Sequence, residues 1–252
     1  MQPAFLKRRS DGASGLPAST EEAVCALPST PAAAAAEESS PSPKVGAPLR
    51  CSRRYERVAE KQGACRVAGV DEVGRGALFG PVVAAAVILD PARPIRGLND
   101  SKQLTAPERE RLDILIRQRA LAWAVAGVDA GEIDFRNIYQ ASRLAMHRAV
   151  EQLRPEADYL LVDAVRLEWQ GPQRALIHGD ALSHSIAAAS IVAKVYRDAL
   201  MRRWAAVFPA YDLASNKGYG APRHLAALER FGASPLHRMS FAPVWERRIG
   251  AD

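Results

Sequence analysis

The chain has 252 residues, of which 48% are hydrophobic and 25% charged, and a formal net charge of +6, which is the balance of an ordinary soluble globular protein. No apolar run reaches the roughly 20 residues that a membrane-spanning helix requires, so we expect no membrane partner. Three cysteines without a C-x-x-C pair exclude a disulfide-rich scaffold and argue against a zinc site, and they suit a reducing, cytoplasmic location.

The positive charge lies in the part of the chain that follows residue 50. Residues 1–50 contain five basic and five acidic residues, so the other 29 bases and 23 acids carry the whole +6. A basic body favours a polyanionic partner, and nucleic acid is the first candidate. Many basic proteins bind no nucleic acid, so charge alone leaves the partner open.

A low-complexity segment forms the start of the chain. Residues 1–50 hold seven of the 17 prolines and eleven alanines, and Phe5 is the one aromatic residue there. Such a segment buries too little apolar surface to offset the entropy of ordering it. We therefore predict a disordered tail over 1–60 and a folded domain over 61–252. A passive tail is the simpler interpretation, and a partner-binding tail is the alternative.

From residue 66 onward, strand-like and helix-like patterns alternate. Apolar runs predict strands over 66–70, 81–89, 121–128, 159–162 and 174–177. Helices are predicted over 105–119, 132–153, 183–207 and 222–231, followed by an irregular basic end. The first two strands are close in sequence and should pair as neighbours. Strands and helices in this order around one sheet indicate an α/β domain.

Acidic residues stand where the predicted strands end. Asp71 and Asp163 each close an apolar strand, and Asp180 follows a third. Ligands of open α/β sheets gather at the carboxyl ends of strands, so these residues and Glu72 can meet at one point. Clustered carboxylates repel one another unless a cation neutralises them, and hard oxygen ligands select Mg²⁺ or Mn²⁺. Two such ions about 3.5–4 Å apart can activate water and stabilise the leaving oxygen of a phosphodiester.

Each of these acids has a structural alternative, because an Asp after a strand often caps a helix or begins a turn. Asp71 and Glu72 are also neighbours, and consecutive strand residues point to opposite faces. Both can serve one site only if the strand ends there. Gly74 and Gly76 supply that break, allow backbone N–H groups to approach a phosphate or sugar, and flank the donors of Arg75. A plain glycine turn is the alternative.

Two further loops carry residues suited to nucleic acid. Tyr219 lies in the glycine-flanked segment 216–220 and can stack on a sugar or base, while Lys217 can meet a phosphate. Lys102 lies in a polar loop and is either a loop residue or a phosphate contact. An exposed turn is the alternative for both segments.

The five histidines do not form a set of metal ligands. His184 is close to Asp180 and can assist proton transfer, although an ordinary histidine at a helix start is the simpler interpretation. His224 and His237 are predicted on the basic surface. The chain contains neither a G-x-x-x-x-G-K-[ST] phosphate loop nor a G-x-S-x-G elbow, which excludes two common enzyme classes.

Five segments together resemble the ribonuclease HII family. They are AGVDEVGRG at 68–76, GPVVAA at 80–85, NDSKQL at 99–104, SIAAASIVAKVYRD at 185–198 and KGYG at 217–220. The segments occur in the family's order over about 66–244, and the tail lies outside the resemblance.

The resemblance implies an RNase H-like fold, a mixed five-stranded sheet flanked by helices with a helical C-terminal extension. It implies a monomeric endonuclease that cleaves the RNA strand of RNA–DNA hybrids and incises 5′ of single ribonucleotides in duplex DNA, a DNA-repair activity. The products would be a 3′-hydroxyl and a 5′-phosphate. The implied cofactor is Mg²⁺ or Mn²⁺.

The resemblance also implies a role for individual residues. The metal-binding carboxylates would be Asp71, Glu72, Asp163 and Asp180. Gly74, Arg75 and Gly76 would recognise the 2′-hydroxyl at the RNA–DNA junction, Tyr219 would stack on the adjacent deoxyribose, and Lys102 would lie near the substrate backbone.

Three positions depart from the usual family pattern. Ala164 stands where Gly often follows the third carboxylate, Asn216 where His is common, and Met239 where a second Arg is common. None of these changes removes a carboxylate. Two rival functions remain, namely a related metal-dependent nuclease with another nucleic-acid substrate and a binding module that has lost catalysis.

Overall fold

The structure, a computed structural model, describes residues 51–249. Residues 1–50 of the predicted tail lie outside the described range. The centre of the fold is a sheet formed by β1 (Val67–Val73), β2 (Val82–Ile88), β3 (Ala122–Val128), β4 (Tyr159–Asp163) and β5 (Gln173–Leu176). The strands lie in the order β3-β2-β1-β4-β5. β1 and β2, and β2 and β3, pair antiparallel, whereas β1 and β4, and β4 and β5, pair parallel. The mixed five-stranded sheet that the sequence predicts is confirmed.

Helices cover both faces of this sheet. They are α1 (Arg54–Lys61), α2 (Ala106–Arg119), α3 (Ala130–Arg136), α4 (Ile138–Glu151), α5 (His184–Val207), α6 (Leu213–Asn216), α7 (Pro222–Phe231) and α8 (Ala242–Ile249). α4 packs on the face that carries Ala84 and Ala86, and α2 and α5 pack on the face that carries Ala85 and Val87. Every residue of β2 is buried, because both faces of the strand are covered.

Helix α1 lies inside the segment that the sequence assigns to the tail, so the prediction of disorder is wrong for residues 54–60. The carboxylate of Glu56 is buried, and its Oε1 accepts hydrogen bonds from Ser183 Oγ at 2.6 Å and from the Ser185 N–H at 2.8 Å. These bonds fix α1 to the start of α5. Local composition could not reveal them, because their partners are more than a hundred residues away in the sequence.

The single helix predicted over 132–153 is two helices. Asn137 has φ 72°, which ends α3, and its side-chain oxygen accepts a 3.1 Å hydrogen bond from the Gln140 N–H at the start of α4. With ψ 158° its backbone lies outside the helical region, so the helix cannot continue through it. The apolar periodicity continues in α4, where Ala141, Ala145 and Ala149 are buried on one face.

The C-terminal part is helical, and the prediction of an irregular end is wrong for α8. This helix buries Val244 in an apolar cluster with Phe79, Tyr211 and Leu228. The cluster joins the C-terminal helices to the loop that follows β1. Among the described residues, none of the helices combines the length and the apolar character that crossing a lipid bilayer would require.

Candidate active site

Asp71 lies near the end of β1, on the face covered by α5. The two elements are close because Gly69, two residues earlier on the same face, has no side chain. A Cβ atom at Gly69 would lie 2.0 Å from the carbonyl carbon of Ser185 in α5. This approach places Ser190 beside Asp71, where its side chain acts to lower the pKa of Asp71 against the stronger effect of burial. Ser190 Oγ also lies 2.9 Å from Ser101 Oγ, and both serines are buried.

Glu72 follows on the opposite face and reaches the same end of the sheet. Its backbone N–H donates a 2.7 Å hydrogen bond to Oδ1 of Asp71. Its Oε1 lies 3.4 Å from a guanidinium nitrogen of Arg75. The strand ends one residue later, at Val73, and Gly74 follows with φ 90°. The chain therefore breaks where the sequence predicts that it must for both acids to serve one site.

Asp163 is the last residue of β4, which lies beside β1 in the sheet. Its Oδ1 accepts a 2.7 Å hydrogen bond from the Gly179 N–H. Ala164, the first departure from the family pattern, has φ 55° and turns the chain away immediately after the carboxylate. A glycine is common there because this backbone conformation favours it.

Asp180 lies in a short 3-10 turn over Gly179–Ala181 and is buried. Its Oδ2 lies 3.4 Å from Nζ of Lys102, whose side chain is otherwise largely exposed. Burial lowers the pKa of Lys102, but the neighbouring Asp180, Asp100 and Asp71 outweigh it and the net shift is upward. Lys102 therefore stays charged beside the acids. His184 is the first residue of α5 and is half-buried.

The charges of the acidic cluster, defined as Asp71, Glu72, Asp163 and Asp180, act on one another. Burial raises the pKa of Asp71 well above its ordinary value, and the charges of Glu72 and Asp163 raise it further. Burial also raises the pKa of Glu72, although the Arg75 guanidinium acts to lower it. In the same way, burial raises the pKa of Asp163, although the hydrogen bond from the Gly179 N–H acts to lower it.

Such a donor set fits a hard divalent cation, which would remove the mutual repulsion. Within residues 51–249, no three carboxylate, histidine or cysteine side chains already surround a single point closely enough to hold an ion. The acids therefore share one edge of the sheet without being arranged as ligands around a common point.

Two buried arginines that the sequence analysis missed bind the segment 75–81, which follows β1 and begins in the glycine loop. Arg197 on α5 donates to the carbonyl oxygens of Phe79, Pro81 and Lys217 at 3.1, 3.1 and 2.8 Å. Arg238 donates to those of Arg75 at 2.7 Å and Gly80 at 3.0 Å. Burial lowers the pKa of Arg238 to about 9, with a smaller effect from Arg197.

A substituent at Gly74 would meet the Arg197 side chain, whereas nothing lies within 4 Å of the Cβ position of Gly76. The open side of the loop is therefore at Gly76. Arg197 stands in the segment 185–198 that carries the family resemblance, although its residue type alone predicts an exposed position.

Tyr219 lies on the loop beside Arg197, with the guanidinium carbon 5.5 Å from the ring centroid and the ring partly exposed.

Asn216, the second departure from the family pattern, shapes the loop that carries Tyr219. Its side chain accepts a 2.7 Å hydrogen bond from the Gly218 N–H and donates one of 2.7 Å to the Tyr211 carbonyl. Lys217 has φ 52°, and its Nζ contacts the Ala214 carbonyl oxygen. Met239, the third departure, packs against the C-terminal apolar cluster.

The prediction that His224 and His237 lie on the surface is wrong. Both are buried, with Nε2 atoms 3.0 Å apart, and His224 Nδ1 lies 2.8 Å from the carbonyl oxygen of Tyr219. A basic local sequence suggested exposure, whereas packing of α7 against the loop after Gly232 encloses the pair.

The strand order, the flanking helices and the acidic edge define an RNase H-like protein. The ribonuclease HII family model matches residues 68–244. The chain is 61% identical over 197 residues to the ribonuclease HII of Koribacter versatilis, covering 78% of each chain. It is 61% identical over 199 residues to that of Solibacter usitatus, covering 79% of this chain and 87% of the relative.

Among solved structures, the ribonuclease H2 of Pyrococcus horikoshii OT3 superimposes with a TM-score of 0.64 at 27% identity, covering 73% of this chain and 98% of that one. The chain belongs to the ribonuclease HII family, and it is a ribonuclease H.

Proposed function

We propose that this ribonuclease H cleaves the RNA strand of RNA–DNA hybrids and also incises duplex DNA on the 5′ side of single embedded ribonucleotides, leaving a 3′-hydroxyl. The observation that carries the proposal is the convergence of Asp71, Glu72, Asp163 and Asp180 at one edge of the sheet, with raised pKa values for three of them. Family membership supports the substrate class, and the basic body supports a nucleic-acid partner.

The acidic cluster would hold Mg²⁺ or Mn²⁺. Bound there, such ions supply a lowered pKa for an attacking water and positive charge for the departing oxygen. The chain's own residues orient the acids. The Gly179 N–H fixes one oxygen of Asp163, the Glu72 N–H binds one oxygen of Asp71, and the Arg75 guanidinium restrains Glu72. Lys102 adds a positive charge on the exposed side of Asp180, where a substrate phosphate would approach.

The loop 74–76 and Tyr219 would recognise the junction between RNA and DNA. Gly76 has open space at its Cβ position, so a sugar can approach the backbone closely, and Arg75 is exposed beside it. Tyr219 presents a partly exposed ring near this loop, because the Arg197 side chain lies against Gly74 and beside the Tyr219 ring. A 2′-hydroxyl contacting the loop while the following sugar stacks on the ring would favour cleavage where a ribonucleotide is followed by a deoxyribonucleotide.

The proposal is tested by one gel with three labelled duplexes: an RNA–DNA hybrid, a DNA duplex with one ribonucleotide, and an all-DNA duplex, each with Mg²⁺ and with Mn²⁺. We expect cleavage of the first two and none of the third.

Asp71→Asn should lower the cleavage rate by a factor of at least about 100, because it removes a charge from the acidic cluster. The matched control is Asp212→Asn, which changes a half-exposed aspartate 3.9 Å from Arg223 and should cleave at the wild-type rate.

The outcomes separate the rival functions. Cleavage of the all-DNA duplex at a similar rate would identify a nuclease of another specificity. Salt-sensitive binding without cleavage under either ion would identify a binding module. An Asp71→Asn variant that cleaves as fast as wild type would overturn the assignment of the acidic cluster.

We further infer that the protein acts as a monomer in the cytoplasm, where removal of ribonucleotides from DNA would make it a repair enzyme. Light scattering of the purified protein tests the monomer directly. The same gel, run with a variant that begins at Cys51, tests whether residues 1–50 contribute to cleavage.

A further inference from the structure

His224 and His237 form a buried chain of hydrogen bonds that ends on Tyr219. The Ser234 N–H donates to His237 Nδ1 at 2.9 Å, and the Ser234 Oγ lies 2.9 Å from the same atom. The two Nε2 atoms lie 3.0 Å apart. His224 Nδ1 lies 2.8 Å from the Tyr219 carbonyl oxygen. These hydrogen bonds therefore connect the loop after α7 to the loop that carries Tyr219.

The two ends of this chain determine where the protons are. A backbone N–H can only donate, so His237 Nδ1 accepts and carries no proton, and the proton of a neutral His237 is on Nε2. A carbonyl oxygen can only accept, so His224 Nδ1 carries its proton and His224 Nε2 is free to accept. The His237 Nε2–H therefore donates to His224 Nε2. Every ring nitrogen is satisfied only when both rings are neutral and in these opposite tautomers.

The surroundings of the pair keep it neutral. The rings of Phe79 and Tyr211 pack edge-on against His237, with centroids 5.0 and 4.7 Å away, and Tyr211 also packs against His224. Tyr211 is the titratable side chain that faces both rings, and its hydroxyl donates to the Gly232 carbonyl. Arg238 follows His237, but its guanidinium is directed to the carbonyls of Arg75 and Gly80. Among residues 51–249, no carboxylate is hydrogen-bonded to either imidazole. Burial lowers the pKa of both histidines.

We propose that this neutral histidine pair positions Tyr219 for substrate binding, with His224 holding the backbone of the tyrosine from one side while Arg197 holds its ring from the other. The inference rests on the proposed contact of Tyr219 with substrate. Neither histidine touches substrate, so both are positioning residues. Loss of the His224 bond should weaken substrate binding and leave the chemical step at the acidic cluster unchanged.

Two substitutions at His224 separate its two hydrogen bonds. The amide nitrogen of Asn corresponds to the Nδ1 of His, so His224→Asn keeps the donor to the Tyr219 carbonyl. The amide of Gln corresponds to Nε2, so His224→Gln keeps a partner for His237 and loses that donor. We expect His224→Gln to raise KM for the singly ribo-substituted duplex about tenfold with kcat within about twofold, as loss of one neutral hydrogen bond predicts, and His224→Asn to retain the wild-type KM. Equal KM values for the two variants would overturn the inference.

A double-substitution cycle distinguishes this inference from the proposed function. Tyr219→Ala alone should raise KM, and an unchanged KM would reject the substrate contact of Tyr219 itself. If Tyr219→Ala does raise KM, adding His224→Gln should have no further effect, because there is no ring left to position. Multiplicative effects in the double variant would reject the positioning role while leaving the substrate contact intact.

The tautomers are measurable in the wild-type protein, so the inference does not depend on a variant that folds. Nitrogen-15 NMR of the histidine rings at pH 7 should show His237 protonated at Nε2 and His224 at Nδ1, both neutral. A His224 ring protonated at Nε2 would have no proton for the Tyr219 carbonyl and would overturn the inference.

Discussion

The backbone of Ser185 in α5 lies against Gly69 in β1 so closely that a Cβ atom at Gly69 would be 2.2 Å from the Ser185 carbonyl oxygen. This contact sets the distance between helix and strand for the whole site. It places Ser190 beside Asp71 and Arg197 beside Gly74, one and three helical turns further along α5. The position of the acidic cluster therefore depends on a residue that carries no functional group.

Gly69→Ala should destabilise the protein by about 1–3 kcal/mol or more, because the added methyl group meets backbone atoms that cannot rotate away. Displacement of α5 should also lower the cleavage rate. The matched control is Gly76→Ala, whose methyl group meets no atom within 4 Å and should leave the free energy of unfolding within about 0.5 kcal/mol of wild type. Urea unfolding of both variants checks this, and equal stabilities would contradict it.

Ala164→Gly should stabilise the protein by about 1 kcal/mol, because Ala164 has φ 55° and a residue with a Cβ atom is strained in that conformation. Ala164→Val should destabilise it, since a β-branched residue is strained further. Ala164 is exposed, so neither change disturbs core packing. The free energies of unfolding in urea, ranked Gly, Ala, Val, check the prediction, and any other order would refute it.

Asp71→Asn should stabilise the metal-free protein at pH 7 by an amount on the order of 1 kcal/mol, although it lowers the cleavage rate. Burial and the neighbouring acids raise the pKa of Asp71, so the folded state binds its proton more tightly than the unfolded state does. Stability from this group is complete below the unfolded pKa and is lost as the pH rises through the folded pKa. Thermal unfolding in a chelator at pH 4 and pH 7 should therefore show a larger gap between variant and wild type at pH 7. Addition of Mg²⁺ should raise the Tm of wild type more than that of the variant.

Arg197→Lys should destabilise the protein by about 3 kcal/mol or more, because one ammonium group cannot satisfy the carbonyl oxygens of Phe79, Pro81 and Lys217 together. Arg202→Lys on the same helix is the control. Arg202 is half-exposed and lies 3.5 Å from Glu110, so its replacement should cost less than about 0.5 kcal/mol. Differential scanning calorimetry gives both values, and similar losses would argue against a structural role for Arg197.

His237 should make the protein less stable as the pH falls from about 6.5 to about 4. Burial lowers the pKa of His237 to about 4, and His224 adds to the effect. Between these pH values the imidazole is therefore protonated in the unfolded state and neutral in the folded state. His237→Gln cannot titrate, and the carboxylates titrate alike in both proteins. The Tm of wild type minus the Tm of His237→Gln should therefore increase as the pH rises through this interval. A difference independent of pH would contradict the shifted pKa.

Much of the fold could be predicted from the sequence, because the determining signals are local. Apolar runs predicted the strands, most clearly β2, which is covered on both faces and has no polar side to interrupt the run. The capping sequence at Thr105 marks the start of α2, where the Thr105 N–H donates to Glu108 Oε2 at 2.8 Å. The break between α3 and α4 was missed, because the apolar periodicity continues through Asn137 and only the φ of that residue interrupts the helix.

The sequence by itself determined which residues are candidates for the site: four acids in or shortly after three strands, a glycine loop with Arg75, and Tyr219. It could do so because strand ends and glycine breaks are visible in residue order. Only the tertiary structure decided what holds them, since Glu56, Arg197, His224 and His237 are polar residues whose burial depends on partners far away in the sequence. Residue type predicts such side chains at the surface, and they become internal supports only because folding supplies each with distant hydrogen-bond partners.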